Sequence, residues 1–506
     1  MVSTNTTHPN IIFILADDLG HWGMGCAGNP EIRTPNLDRL AESGINFSNF
    51  FCASPVCSPA RASILTGRIP SQHGVHDWLR AGNSTIEEEK GGRLIEYLEG
   101  QTGYTDCLCN EGYTCGISGK WHLGDAHHAQ KGFTFWEVHA MGGGPYYGAP
   151  MIHDGEVYPE PRYVTDAITD NAMDFLRRQV VDDRPFYLSV HYTAPHSPWD
   201  RDNHPRDLYD DYYNHCAFDS IAREPMHPWQ INSAPYGHDE ESRRRILSGY
   251  FAATTAMDRN IGRLLDWLEE VRLRDSTIII FTSDNGMNMG HHGIYGKGNG
   301  TFPLNMFDTS VKVPTIISCP GRIPQGLICD ELLSHYDLMP TLTDYLDIDN
   351  PVQEDQPGHS FADLLRGESI SSSSKLSVRT APIVIYDEYG PVRMIRTQTW
   401  KYVHRYPYGP HELFDLVNDP GERDNLIDSP THRDKVRELK VGLEDWFVRF
   451  VDPMVDATHE PVTGKGQLGL AGPAGQGEDN YSNDWYYLEK STRAAFPRPE
   501  QTAPEE

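Results

Sequence analysis

The sequence has no run approaching the 18 or so apolar residues that a membrane-spanning helix requires, which excludes a helical bilayer protein. Positive charge is also scarce. Lys and Arg number 43 against 72 Asp and Glu, a formal net charge of −29, and such a surface on average repels duplex nucleic acid and anionic lipid. The opening MVSTNTTHPNIIFILADD contains no basic segment, and its apolar stretch, Ile11 to Ala16, ends at two aspartates. It lacks the pattern of a secretory leader, so the expected location is cytoplasmic, or periplasmic or secreted if a leader has been removed. Cysteine is sparse: nine residues, odd in number and scattered, favour reduced thiols over a disulfide framework. Cys107, Cys109 and Cys115 cluster without the second His or Cys pair of a zinc site and read as buried thiols. No internal repeat of solenoid or propeller period is present.

What is present is a core. Apolar residues make up 38% of 506, with 18 Phe, 25 Tyr and 10 Trp, which excludes a largely disordered chain and allows two or three domains. Short apolar runs alternate with helical periodicity, the pattern of an α/β fold: a large mixed, mostly parallel sheet sandwiched by helices. The runs Ile11 to Ala16, Thr114 to Ser118, Pro185 to Tyr192 and Thr277 to Thr282 each read as a strand ending in polar residues. Ligands gather beyond the carboxyl ends of such strands. A boundary is expected near 366–380, dividing a domain 1–375 from a smaller one, 376–506. In the latter, alternating strands over 383–404 and a helix over 432–450 predict an antiparallel sheet covered by one helix. The Gly- and Pro-rich run 461–484 reads as a loop or ordered tail.

Two strand endings offer oxygen ligands. Asp17 and Asp18 are adjacent carboxylates that repel unless a cation or several donors neutralise them; a hard divalent metal is one reading and a solvated turn the other. Asp284 and Asn285 follow another strand and add a carboxylate and an amide carbonyl. Cys57-Ser58-Pro59-Ala60-Arg61 opens a helix, with Ser58 as the expected cap, Pro59 in the first turn and Gly67 as terminator. Cys57 would then lie where free N–H groups and the helix dipole favour an anion, with Arg61 one turn on. It could be a nucleophile of lowered pKa or simply a packed thiol.

The run CSPARASILTGR, Cys57 to Arg68, resembles the signature of the formylglycine-dependent (type I) sulfatase family of the alkaline-phosphatase-like superfamily. Gly119-Lys120-Trp121-His122-Leu123-Gly124 resembles the family's second signature, and the ADD, APH, SDNG and GKG elements occur in family order. The resemblance implies a sulfuric-ester hydrolase in which Cys57 is oxidised to formylglycine (3-oxoalanine) by a formylglycine-generating or radical maturation enzyme. Asp17, Asp18, Asp284, Asn285 and residue 57 would hold one calcium ion. Lys120 and Lys297 would bind sulfate, Arg61 would hold the diol and the metal side, His122 would take the diol proton, and His196 would protonate the leaving alcohol. His292 and His76 are further candidate substrate contacts. The resemblance departs at Thr301 to Pro314, where TFPLNMFDTSVKVP replaces a Tyr-Glu-Gly type run; this bears on the substrate pocket.

The expected substrate is a small-molecule or oligosaccharide sulfate ester, with a sulfated carbohydrate favoured over a small aryl sulfate. A phosphonate or phosphodiester hydrolase is the alternative enzyme, with Asn285 in place of a His arguing for sulfate. A non-catalytic anion or glycan binder is the alternative if Cys57 stays unmodified. The Asn299-Gly300-Thr301 sequon is a glycosylation match by pattern only.

Overall fold

The computed structural model describes residues 8–482 except 88, 182–183, 369–374, 377–383 and 476–478. Most of the expected boundary region, and the end of the chain beyond Ser482, lie outside the described residues.

A 12-stranded sheet forms the centre. From one edge its strands run Lys375–Leu376, Leu327–Cys329, Ile45–Phe51, Lys312–Ser318 and Thr277–Ser283. They continue through Asn10–Ala16, Phe186–His191, Thr114–Lys120 and Phe133–His139 to Ala149–His153 and Glu156–Glu160, while Leu333–Ser334 pairs beside Ile45–Phe51. The five strands from Thr277–Ser283 to Phe133–His139 are mutually parallel. Lys312–Ser318 and the last two strands pair antiparallel, so the sheet is mixed with a parallel heart.

Both faces of this heart are covered, which is why its strands are almost continuously apolar. Alternate residues of one strand enter opposite cores: Ile11, Phe13 and Leu15 join one cluster, Ile12, Ile14 and Ala16 the other. The second core is roofed by the long helix Glu240–Glu270 and by Val164–Gln179. The predicted strands are all found, and Thr114–Lys120 runs two residues longer than expected, which places Lys120 at a strand terminus.

The C-terminal part forms a four-stranded antiparallel sheet, Ile385–Tyr389, Val392–Arg396, Trp400–Arg405 and Glu412–Asp415. The helix Arg433–Phe450 covers it through Leu439, Leu443 and Phe447. Ala53 and Ile69, which flank the Cys57 helix in sequence, belong to the same apolar cluster, so this small sheet packs directly behind the candidate site. All nine cysteines are free thiols.

Candidate active site

The helix Cys57–Thr66 starts at the cysteine itself and is buried along its whole length. Ser58 does not cap it. Val56, in extended conformation, is the residue before the first turn, and Ser58 Oγ instead accepts a hydrogen bond from the Leu79 amide at 3.0 Å. Gly67 ends the helix as expected, at φ 66°, with its N–H donated to the Ser63 carbonyl. Cys57 is therefore the first helical residue, but burial pushes its thiol up to about 12, with Lys120 and Lys297 only partly opposing. Burial therefore works against the lowered-pKa reading of the unmodified thiol.

Asp17 and Asp18 lie just past the strand Asn10–Ala16, and Asp284 just past its neighbour Thr277–Ser283. Parallel pairing of Ala16 with Ser283 brings the two endings together. One oxygen from each of the three buried carboxylates lies within 4.8 Å of the others. Cys57 Sγ is 3.5 Å from Asp17 Oδ1 and 3.9 Å from Asp18 Oδ1. Asn285 donates to Asp18 Oδ1, and its own Oδ1 is buried with no hydrogen-bond partner. Converging carboxylates and an orphaned amide oxygen form the donor set of a hard, oxygen-preferring cation; a solvated turn is excluded by burial.

Three cations meet these anions. Lys297 Nζ contacts Cys57 Sγ at 2.7 Å and also donates to Asp18 Oδ1. Burial alone would lower the Lys297 pKa, but Asp18 and then Cys57 hold it well above its ordinary value. Lys120 Nζ is 2.6 Å from Asp17 Oδ2. Arg61 donates to Asp284 Oδ2 from Nε at 2.9 Å and to the Lys120 carbonyl from a terminal nitrogen at 3.0 Å. Burial resists ionisation of Asp284, yet Arg61, Lys120 and Lys297 together keep its carboxylate below the usual range.

The two expected histidines face the same cavity, of about 290 Å³, lined by Asp18, Cys57, His122, His196 and Lys297 together with Trp78, Glu87, Met141 and Trp199. His122 Nε2 pairs with the Leu79 carbonyl at 3.0 Å. Burial, then Lys120 and Arg61, hold its pKa well below the ordinary value. His196 donates from Nδ1 to the Ser197 carbonyl at 2.7 Å and turns Nε2 to within 3.8 Å of Asp18. A larger hollow of about 1230 Å³ beside Tyr336 and Trp446 contains none of the expected site residues.

Residues 9–348 match the sulfatase family profile, and residues 290–448 match that of the N-sulphoglucosamine sulphohydrolase C-terminal region. The chain belongs to the sulfatase family. This sulfatase is a sulfuric-ester hydrolase and is 29% identical to an N-acetylglucosamine-6-O-sulfatase of Bacteroides thetaiotaomicron, over 88% of each chain. It is 31% identical to an ulvan-active sulfatase of Formosa agariphila over 86% of this chain and 80% of that one. A solved structure in complex with its substrate D-glucosamine-2-N,6-O-disulfate superposes with a TM-score of 0.72 at 25% identity, covering 90% of this sulfatase and all of that chain.

Two expected substrate contacts fall elsewhere. His76 is fully buried behind the cavity wall, its Nδ1 paired with the Tyr481 hydroxyl. His292 stacks on Phe307 with ring centroids 3.9 Å apart. Neither lines the cavity. The sequon Asn299 is buried, donating its amide to the Gly464 carbonyl, and is thereby closed to glycan attachment. Groups that sequence reasoning did not single out include Glu87, Trp199 and the Leu79 carbonyl. Gly142 and Gly143 keep both rings in place by lacking side chains: a Cβ on Gly142 would meet the His122 ring at 2.3 Å and one on Gly143 the His196 ring at 3.0 Å.

Proposed function

We propose that this sulfatase releases inorganic sulfate from a sulfated carbohydrate, using an aldehyde made from Cys57. The observation carrying the reading is the convergence of Cys57, three carboxylates and three cationic side chains in one buried cluster, of which Cys57, Asp18 and Lys297 line a cavity of single-sugar size. The relatives named as an N-acetylglucosamine-6-O-sulfatase and an ulvan-active sulfatase support the carbohydrate class. In maturation, Cβ of Cys57 gives two electrons to an external oxidant, sulfur leaves as hydrogen sulfide, and a carbonyl oxygen replaces it. Water adds to give a geminal diol.

One diol oxygen attacks the ester sulfur, and the bond from sulfur to the sugar oxygen breaks. His196, with Nδ1 fixed on Ser197, presents Nε2 to protonate that departing oxygen. Lys120 and Lys297 meet the charge that spreads over the nonbridging oxygens. The second diol hydroxyl then gives its proton to His122, the aldehyde carbonyl re-forms, and the bond from carbon to the sulfate oxygen breaks. This elimination spares the enzyme a second attack at sulfur. Asp17, Asp18, Asp284 and Asn285, with residue 57, would hold a calcium ion, which when bound lowers the energy of negative charge developing on the sulfate. Arg61 keeps Asp284 ionised and oriented.

The test combines a mass and an activity. Conversion lowers the mass of the peptide bearing residue 57 by about 18 Da. The converted enzyme should hydrolyse a sulfated mono- or disaccharide faster than 4-nitrophenyl sulfate, with Cys57→Ala inactive on both. An active preparation with an intact thiol would refute the mechanism, and preference for the aryl ester would refute the substrate class.

A further inference from the structure

The C-terminal run 462–475 lies far from the signatures in sequence, yet it packs behind Trp78, Leu79 and Arg80, which line the cavity. Gln467 pairs in parallel with Leu79: its N–H donates to the Trp78 carbonyl at 2.8 Å, and its carbonyl accepts from the Arg80 N–H at 2.9 Å. Along an extended strand, neighbouring residues point their backbone groups to opposite edges. The tail thus occupies the edge of Trp78 and Arg80 and leaves Leu79 facing the chemistry. There the Leu79 N–H donates to Ser58, next to the nucleophile, and its carbonyl accepts from His122 Nε2.

A carbonyl can only accept, so Nε2 carries the proton. With the ring held neutral, Nδ1 is the basic nitrogen, and it is buried without a hydrogen-bond partner. The side chain of Gln467 completes the support: Oε1 accepts from the His76 N–H at 2.8 Å, and Nε2 donates to the Gly74 and Gly469 carbonyls. One further tail atom joins two walls of the cavity. The Gly464 carbonyl accepts from Trp78 Nε1 at 3.2 Å and from Asn299 Nδ2 at 3.0 Å, and Asn299 lies two residues beyond Lys297. A Cβ at Gly464, where φ is 82°, would sit 2.8 Å from the Asn299 Cβ.

We propose that this tail is a working part of the active site, in which Gln467 and Gly464 are positioning residues: Gln467 fixes the Leu79 carbonyl that selects the His122 tautomer, and Gly464 sets the spacing between the Trp78 wall and the Lys297 loop. The inference rests on the role of His122 given above. Its signature is a defect in the second half of the reaction, because a misdirected His122 leaves sulfate bound to residue 57.

The test compares Gln467→Ala and Gly464→Ala with His122→Ala in the matured enzyme, reading kcat, KM, the melting temperature and the mass of the residue-57 peptide after quenching with substrate present. Gln467→Ala should lower kcat roughly 10- to 100-fold with little change in KM, and sulfated peptide should accumulate as it does in His122→Ala. Gly464→Ala should change KM as well as kcat, because it moves a cavity wall. Loss of activity that only follows loss of folded protein, with no sulfated peptide, would overturn the inference while leaving His122 its role. If His122→Ala itself accumulates nothing, the role of His122 is wrong and this inference falls with it.

Discussion

Lys297 stands between Cys57 and Asp18, so one ammonium contacts both the proposed nucleophile position and a carboxylate of the proposed cation site. Its side chain is 9% exposed, which lets water enter when it is shortened, so Lys297→Ala should fold. Loss of one preorganised donor to a developing anion costs roughly 10²- to 10³-fold in kcat; steady-state kinetics with a matched melting curve checks this. A second residue offers a pH test away from the chemistry. Asp258 accepts the Asn36 and Leu37 N–H groups at the start of the helix Pro35–Glu42, and burial raises its pKa from 3.8 to about 6. The folded state then holds its proton more tightly than the unfolded chain does. Its contribution is full below pH 4 and declines as pH rises through 6, by an order-of-magnitude 3 kcal/mol. Asp258→Asn should therefore flatten the fall in stability between pH 4 and 6 in urea titrations; an unchanged slope would contradict the assignment. At this scale the sequence was most legible where short motifs sit at strand and helix ends, as with Asp17, Asp18, Cys57 and Lys120, which the fold brings together. It was least legible for His76 and His292, because whether a loop histidine faces a cavity depends on partners such as Tyr481 and Phe307, hundreds of residues or one packed ring away.

Strand and helix endings do the work of assembling the site. The run Ile11 to Ala16 was readable because both of its faces are buried, and a doubly covered strand has no polar alternation to confuse with a loop. Glu412–Asp415 was not foreseen: four residues with a glutamate at one end and an aspartate at the other carry too little period to show as a strand, and pairing with Trp400–Arg405 defines it. The cap of the Cys57 helix was misassigned because local rules favour Ser58, whereas the hydroxyl is taken by Leu79 across the fold. The helix Arg433–Phe450 supplies a test at this scale. Leu443 is fully buried against the small sheet, in the same cluster as Ala53 and Ile69. Leu443→Ala should cost about 2–5 kcal/mol and shift the loss of activity to lower urea together with the loss of structure. Activity that outlasts the unfolding of this sheet would show that it does not brace the Cys57 helix.

For the whole molecule, the main tension is between its charge and its substrate. The site gathers three carboxylates against Lys120, Lys297 and Arg61, so the chain's own groups nearly cancel there, and a divalent cation is what would turn the cavity positive. Chelation should then lower the melting temperature, and added calcium should restore it in a concentration-dependent way, because a ligand bound only by the folded state stabilises by mass action. A melting temperature indifferent to both would remove the cation from the reading. Beyond the cavity, a net charge of −29 repels an approaching sulfate ester at long range, whereas the lysines act only at contact distance. Raising sodium chloride from about 0.01 to 0.1 M shortens the screening length from roughly 30 to 10 Å, which weakens the distant repulsion far more than the buried attraction. The expected result is a kcat/KM for an anionic sulfate ester that increases over this range, the reverse of an enzyme that steers its substrate with a basic surface. A decrease would mean that the cavity's local field extends into solvent and dominates encounter.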